Sequence, residues 1–207
     1  IRLSLVGSEM CIRDSIYAAT SGGLSISTDN GNNFINKNTS HGLGSSIVRD
    51  VYANGNLVYA ATFGGLSISQ DGGNSFINLT VANGLANNNL WDVEVNEGII
   101  YAATYGDGLS ISADGGNSFT IKTSANGIGN DWVYSIFADD SDIYVATIDG
   151  GLSISSDGGD NFITRTTANG LADNWVFDVF VFTSAPPSQL TPQEAICLLY
   201  TSDAADE

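Results

Sequence analysis

Cysteine, methionine, proline and positive charge are all scarce in this 207-residue chain, which carries two cysteines, one methionine, three prolines and six lysines and arginines against 23 acids. Each shortage excludes something. Met10, Cys11 and Cys197 lie near the two ends, so residues 16–196 offer no disulfide, no thiol nucleophile and no cysteine-zinc site. Within 16–196 the only cations are Lys37, Arg49, Lys122 and Arg165 against 18 acids, a net charge of −14 compared with −17 for the whole chain. A surface this acidic repels phosphate backbones and argues against a nucleic-acid partner. The charge fits solubility, including in saline surroundings, with calcium attraction as the second reading. No run approaches the ~18 apolar residues of a membrane span. The chain does not open on methionine, so it is silent about a signal peptide.

The two ends can be written as inverted copies of one stretch of DNA. Met10 to Ser15 can be encoded by ATGTGTATAAGAGACAG, and the reverse complement of that stretch, read in frame, encodes Cys197-Leu198-Leu199-Tyr200-Thr201. Inverted copies at both ends resemble the arms of a transposase-type sequencing adapter. The expectation is that residues 1–15 and 197–207 are translated adapter and that the natural protein is 16–196.

What is abundant inside that region is a repeated turn of the form Ser-x-Asp-x-Gly-x-x-Phe. It occurs as Ser27, Asp29, Gly31, Phe34; Ser69, Asp71, Gly73, Phe76; Ser112, Asp114, Gly116, Phe119; and Ser155, Asp157, Gly159, Phe162. The aspartates are 42, 43 and 43 residues apart. That period, with short apolar runs between turns, predicts an all-β chain: a β-propeller fragment of four-stranded antiparallel blades, one per repeat. In the second repeat the expected strands are 47–53, 57–62, 65–69 and 75–80, with Asn54-Gly55-Asn56 as a hairpin. The second strands, such as Val58-Tyr59-Ala60-Ala61-Thr62, lack a charged face, as expected of sheets covered on both sides, and their alanines allow close blade approach. The 24 glycines and many Asn, Ser and Thr residues disfavour helix. Aspartate accepts from backbone N–H groups just beyond it, glycine supplies a positive φ, and the phenylalanine is expected to anchor the turn to the blade core.

The four turns resemble the Asp-box, or BNR repeat, of sialidases, sortilin-type receptors and some glycoside hydrolases. The resemblance implies a structural box between third and fourth strands, on the face away from the active centre. The turns lack the spaced oxygen ligands and terminal Glu of a calcium loop. The linker and strand motifs Gly84-Leu85-Ala86-Asn87-Asn88, Tyr101-Ala102-Ala103-Thr104 and Gly108-Leu109-Ser110 are also similar to the two-component regulator propeller repeat. That family forms periplasmic sensor domains and occurs in secreted surface proteins, which implies a bacterial extracellular, periplasmic or cell-surface setting. The expected boundaries are a partial blade 1 at 16–38, blade 2 at 46–80, blade 3 at 89–123, blade 4 at 132–166, the first strand of a fifth at 174–182, and a linker at 183–196 holding all three prolines. The last strand could complete blade 1 and close a four-bladed ring; the expectation adopted is that the parent chain continues.

Propeller topology places the interblade linkers and the second-to-third-strand loops on the face opposite the aspartate turns. Variation between repeats concentrates there. Ile47, Asn89, Trp132 and Trp175 share one position, and Arg49, Trp91, Tyr134 and Phe177 share another. In the exit loops Ser21, Phe63, Tyr105 and Ile148 correspond, with Asp107 and Asp149 nearby. The candidate ligand residues are therefore Arg49, Phe63, Asn89, Trp91, Tyr105, Asp107, Trp132, Tyr134, Asp149, Trp175 and Phe177. Rings beside carboxylates and amides suit glycan or peptide ligands. The alternative is that Trp132 and Trp175 fill wedges between blades.

An enzyme is the rival class. A sialidase resemblance implies an arginine triad, which Arg49 and Arg165 cannot supply, whereas a glycosidase could use Asp107 and Asp149 as a carboxylate pair. His41 replaces the Asn of the turns at Asn83, Asn126 and Asn169 and is expected to be a turn residue. The reading reached is a non-enzymatic extracytoplasmic binding platform with no cofactor and no metal. The alternatives are a fragment of a glycoside hydrolase or a sensor domain. Amplification of the source DNA is expected to return a gene that departs from residues 4–15 and 197–207; a native frame running through both segments would refute the adapter reading.

Overall fold

The computed structural model describes residues 15–181, so the adapter-like ends, apart from Ser15, and the proline segment 183–196 lie outside the described residues. Every sheet is antiparallel and every pairing joins strands that are neighbours in sequence. Blade 1 has three strands, β1 (Ile16–Thr20), β2 (Gly23–Ser27) and β3 (Ile35–Lys37). Blade 2 holds β4 (Val48–Asn54), β5 (Leu57–Thr62), β6 (Gly65–Ser69) and β7 (Ile77–Leu79). Blade 3 holds β8 (Leu90–Asn96), β9 (Ile99–Thr104), β10 (Leu109–Ser112) and β11 (Thr120–Lys122). Blade 4 holds β12 (Val133–Asp139), β13 (Asp142–Thr147), β14 (Gly151–Ser155) and β15 (Ile163–Arg165). These are successive blades of a β-propeller.

Two expectations of detail need correction. The outer strand is only three residues long, because the aspartate turn consumes the residues before it and a 3₁₀ turn begins almost at once after it. Residues 174–181 form no strand, for the physical reason that a strand exists by its ladder and the described residues hold no further strand to pair with this segment, whose backbone bonds run to blade 4, Gly151 N to Asn174 O at 2.7 Å and Val176 N to Thr147 O at 3.1 Å. Blade 1 likewise shows no fourth strand among them, so this segment does not close a ring.

The recurring residues each satisfy a particular backbone group. In the aspartate turn of blade 2, the buried Ser69 hydroxyl donates to Asp71 Oδ1 at 2.7 Å and accepts from Gly73 N at 2.8 Å. Asp71 Oδ1 in turn accepts from Ser75 N at 2.9 Å, and Oδ2 accepts from the Ser75 hydroxyl at 2.7 Å. The other three turns repeat this geometry with Asn33, Ser118 and Asn161 in the place of Ser75. These donors hold all four carboxylates below the usual range, the side-chain bond from that residue contributing most. The threonine ending each second strand donates to the glycine carbonyl across the turn, as Thr62 does to Gly65 at 2.8 Å. The buried Ser67, Ser110 and Ser153 accept from the linker at Gly44, Ala86 and Gly129. After each outer strand, Asn83, Asn126 and Asn169 accept from the residue capping a 3₁₀ turn. His41 does the same through Nδ1, accepting from Asn38 N at 3.2 Å, which makes it the turn residue that its position suggested.

The cores lie between blades. Leu24 and Ile26 of blade 1 cluster with Val48, Val58, Ala60 and Phe76 of blade 2. Tyr59, Ala61 and Leu66 of blade 2 cluster with Leu90, Val93 and Ile100 of blade 3, and a third cluster joins blades 3 and 4 in the same way. The alternating strand residues thus divide between the two neighbours, and the fully buried alanines are where the sheets approach. The phenylalanine of the aspartate turn belongs to this junction and not to its own blade's core. Phe76 is 7% exposed against blade 1, whereas Phe34, whose blade has no preceding neighbour among the described residues, is 46% exposed. Gly73, at φ 86°, is required at the same junction because a Cβ there would lie 2.5 Å from Ile26 Cδ1.

A second tie crosses the junctions near the innermost strands. Asp50 Oδ2 accepts from Val93 N of the next blade at 3.1 Å, and Asp92 Oδ2 accepts from Ile136 N of the blade after that at 2.6 Å. Burial, and then the neighbouring Asp50 carboxyl, push the Asp92 carboxyl well above the ordinary carboxylate range. Burial and Asp50 also push Glu94, on the same strand, up to about 7.

Phe76→Ala is expected to cost about 3–5 kcal/mol, and Phe34→Ala less than about 1 kcal/mol because its ring is already half in water; urea unfolding of the two variants measures the difference. The raised carboxyls also set the sign of a pH effect. The folded state holds their protons more tightly than the unfolded chain, so their contribution is complete below about pH 4 and is lost as pH rises through neutrality. The lowered turn aspartates lose theirs as pH falls below about 4. Stability should therefore peak on the acid side of neutrality. Asp92→Asn, which keeps an acceptor for Ile136 N, should flatten the decline between about pH 5 and 8 in urea midpoints.

Candidate functional site

With antiparallel order in every blade, the second-to-third-strand turns and the interblade linkers emerge at one end, and the aspartate turns at the other. Gly72 N donates to Asn56 O at 2.9 Å, tying the aspartate turn to the first hairpin on that opposite end.

Two local devices aim the side chains of the variable end. Short polar residues two positions upstream accept from the backbone of the linker residues: Asn87 Oδ1 from Asn89 N at 2.8 Å, Asn130 Oδ1 from Trp132 N at 3.0 Å and Asp173 Oδ1 from Trp175 N at 2.9 Å. The innermost strands then each contain a β-bulge, between Val48 and Asp50, Leu90 and Asp92, and Val133 and Ser135. The extra residue at each bulge is Arg49, Trp91 or Tyr134. A bulge turns a side chain out of the regular alternation, and here it brings these three together at the variable end, with Trp91 still packed against the core joining blades 3 and 4. The exit loops are brought beside them by Phe63 N donating to Ile47 O at 3.1 Å and Tyr105 N to Asn89 O at 3.0 Å.

Eight of the eleven candidate residues meet in one connected row. The Arg49 guanidinium lies over the Phe63 ring, 4.6 Å from its centroid, and over Trp91 at 4.3 Å. Trp91 contacts Tyr134 at 4.3 Å and stacks with Tyr105 at 6.0 Å. Tyr105 continues to Trp132 at 4.5 Å, while Tyr134 continues to Phe177 at 5.7 Å and Phe177 to Trp175 at 5.6 Å. Gly106, at φ 98°, makes room for the Trp132 indole, which a Cβ would approach to 3.1 Å. Trp132, with blades described on both sides of it, is 41% exposed and is not a closed wedge, and Trp175 is 44% exposed in a segment with no following blade among the described residues. Trp91 is the ring packed against the core joining blades 3 and 4.

The polar candidates are less uniform. Asn89 belongs to the row through its backbone, and its Oδ1 is buried without a hydrogen-bond partner, as is Trp91 Nε1. The Asp107 carboxylate accepts from Asn87 Nδ2 at 2.6 Å. Asp149 is exposed in a left-handed turn at φ 57°, and no contact brings it to Asp107. Among the described residues no group of three or more His, Cys, Asp or Glu side chains is placed to hold a metal ion, and no helix is long and apolar enough to cross a membrane.

Sequence reasoning missed Asn87, Asn130 and Asp173 as positioning residues and Asp50 and Asp92 as interblade ties. The repeat itself carried a signal for the ties, since Asp50, Asp92 and Ser135 follow directly on the bulge positions and Asp178 on the corresponding Phe177. Ser135 and Asp178 are also joined, hydroxyl to carboxylate, at 2.7 Å.

No protein-family description matches the chain, and no curated protein does. Solved structures do match. An ancestral GH74 enzyme superposes with a TM-score of 0.60 at 23% identity, over 74% of this chain and 22% of its own. The extracellular domain of a B. thetaiotaomicron hybrid two-component system superposes with a TM-score of 0.61 at 19% identity, over 76% of this chain and 24% of its own. YCF48 bound to D1 peptide matches with a TM-score of 0.53 at 14% identity, over 84% of this chain and 58% of its own. The chain thus spans less than a quarter of the first two and more than half of the third, and what it shares with all three is the β-propeller fold.

Proposed function

We propose that this chain is part of an extracytoplasmic, non-enzymatic binding platform whose ligand is a glycan held on the aromatic row of its variable end. The observation that carries the reading is the continuity of that row. Side chains from three blades and the 174–181 segment, unrelated by local sequence, line up from Phe63 through Arg49 and Trp91 to Trp132 on one branch and Trp175 on the other. Ring faces stack on the apolar faces of sugars, and rigid rings order at small entropic cost.

Two features favour binding over hydrolysis. The Asp107 carboxylate is occupied by Asn87, and no contact pairs it with Asp149 across a cleft. The aspartate turns serve the backbone in every repeat, in keeping with their resemblance to the Asp-box, and the end that carries them is the structural one. The extracytoplasmic setting rests on that resemblance, on the similarity to two-component regulator propellers, and on the fold shared with an extracellular domain of B. thetaiotaomicron.

A glycan array is the direct experiment. Retention of one or more oligosaccharides is expected, and combined Trp132→Ala and Trp175→Ala substitution should weaken it by about tenfold or more, as expected of exposed aromatic anchors. Undiminished retention by the double variant would exclude these rings as the anchor, and a protein that retains no glycan would refute the reading.

A further inference from the structure

The row contains one group that a neutral sugar would leave unused. Arg49 is exposed, and among the described residues it forms neither an ion pair nor a hydrogen bond; the single ion pair among them joins Lys122 to Asp160 at 3.8 Å. Its guanidinium is instead held by two rings, at 4.6 Å from the Phe63 centroid and 4.3 Å from that of Trp91. Cation–π contacts fix the position of a guanidinium while its N–H donors stay available. Beside it, Trp91 Nε1 is a buried donor without an acceptor, and Asn89 Oδ1 a buried acceptor without a donor. Buried polar atoms of this kind carry a cost that a ligand can remove. The site therefore offers a fixed cationic fork at its surface, next to exposed ring faces, with an unpaired N–H donor and an unpaired carbonyl acceptor buried behind it.

The partner that fits a fixed guanidinium fork is a planar anion that accepts two parallel N–H bonds, which is a carboxylate. The rest of the chain limits how much further negative charge the ligand can bear. With −17 overall and only four cations in residues 16–196, the protein repels polyanions over distances up to the Debye length, about 8 Å at physiological ionic strength. A densely charged or sulfated chain would meet that repulsion at every residue. A single acidic group on an otherwise neutral chain would meet it once, at Arg49.

Resting on the glycan reading above, we propose that Arg49, held between Phe63 and Trp91, recognises one carboxylate on an otherwise neutral sugar chain, so that the ligand is an oligosaccharide bearing a uronic acid residue. Its carboxylate takes the guanidinium fork, and its ring lies toward the aromatic row.

The test uses the whole chain on an array of oligosaccharides of several neutral backbones, each present in two forms. One form carries a single uronate, and the other is the same glycan with that carboxyl reduced to the primary alcohol. Peptides with free and with amidated C-termini are printed beside them. The uronate member of at least one pair should be retained about tenfold more strongly than its reduced partner, the scale of one charge-assisted bidentate contact. Arg49→Gln should bring that ratio to about one, the ratio within each pair being the readout whatever the overall retention, and an unchanged melting temperature would show that the fold survives at this exposed position. Equal retention of both members of every pair overturns this inference and leaves the glycan reading standing. Retention of no glycan at all overturns both. Preference for peptides with a free C-terminal carboxylate would keep Arg49 as the carboxylate reader but overturn the uronic acid assignment.

Discussion

A blade whose sheet is apolar on both faces cannot stand alone, and the rest of this structure depends on that constraint. Each second strand turns Tyr and Ala toward one neighbour and Val or Ile and Ala toward the other, so burial is completed only by a blade on each side. The alanines set how closely the sheets approach. Once that spacing is fixed, the turn phenylalanine, the turn glycine and the interblade aspartates all become junction residues, and their positions follow from the distance between sheets.

The two ends of the blades then divide the work. At one end Ser, Asp and Gly satisfy a tight turn so completely that the carboxylate has little left to offer: Asp71 accepts two hydrogen bonds from Ser75 and one from Ser69. At the other end the backbone is tied down by Asx turns, glycines and bulges, while Arg49, Tyr105, Trp132 and Trp175 stay exposed and the Asn89 Oδ1 and Trp91 Nε1 atoms beneath them have no partner. The contrast between satisfied and unsatisfied groups is a better guide to a binding surface than the number of acids at either end.

Electrostatics sharpen the contrast. An acidic chain with four cations in residues 16–196 places one of them, Arg49, between two aromatic rings at the variable end. Lys122 is spent on Asp160. In a background of this sign a lone, ring-held guanidinium has a large effect on which ligand can approach, because it opposes the surrounding field at one point.

The amino-acid sequence by itself determined the repeat, the strand order, the turn chemistry and which end varies, because each rests on local stereochemistry: glycine at positive φ, Asx hydrogen bonds and period-two apolarity. Even the substitution of His41 for Asn is legible in this way, since both supply an acceptor at the same point of a 3₁₀ turn. Other features were decided only by tertiary structure. Phe34 and Phe76 occupy the same place in their motifs, yet one is in water and one is in a core, because burial depends on a neighbouring blade and not on the residue. Asp92 has no feature of its own in the sequence beyond its place after Trp91, and the next blade's Ile136 N–H makes it a tie. The row from Phe63 to Trp175 joins residues more than a hundred positions apart, and three bulges, which change the ladder count without altering the apolar pattern, are what turn Arg49, Trp91 and Tyr134 onto one surface.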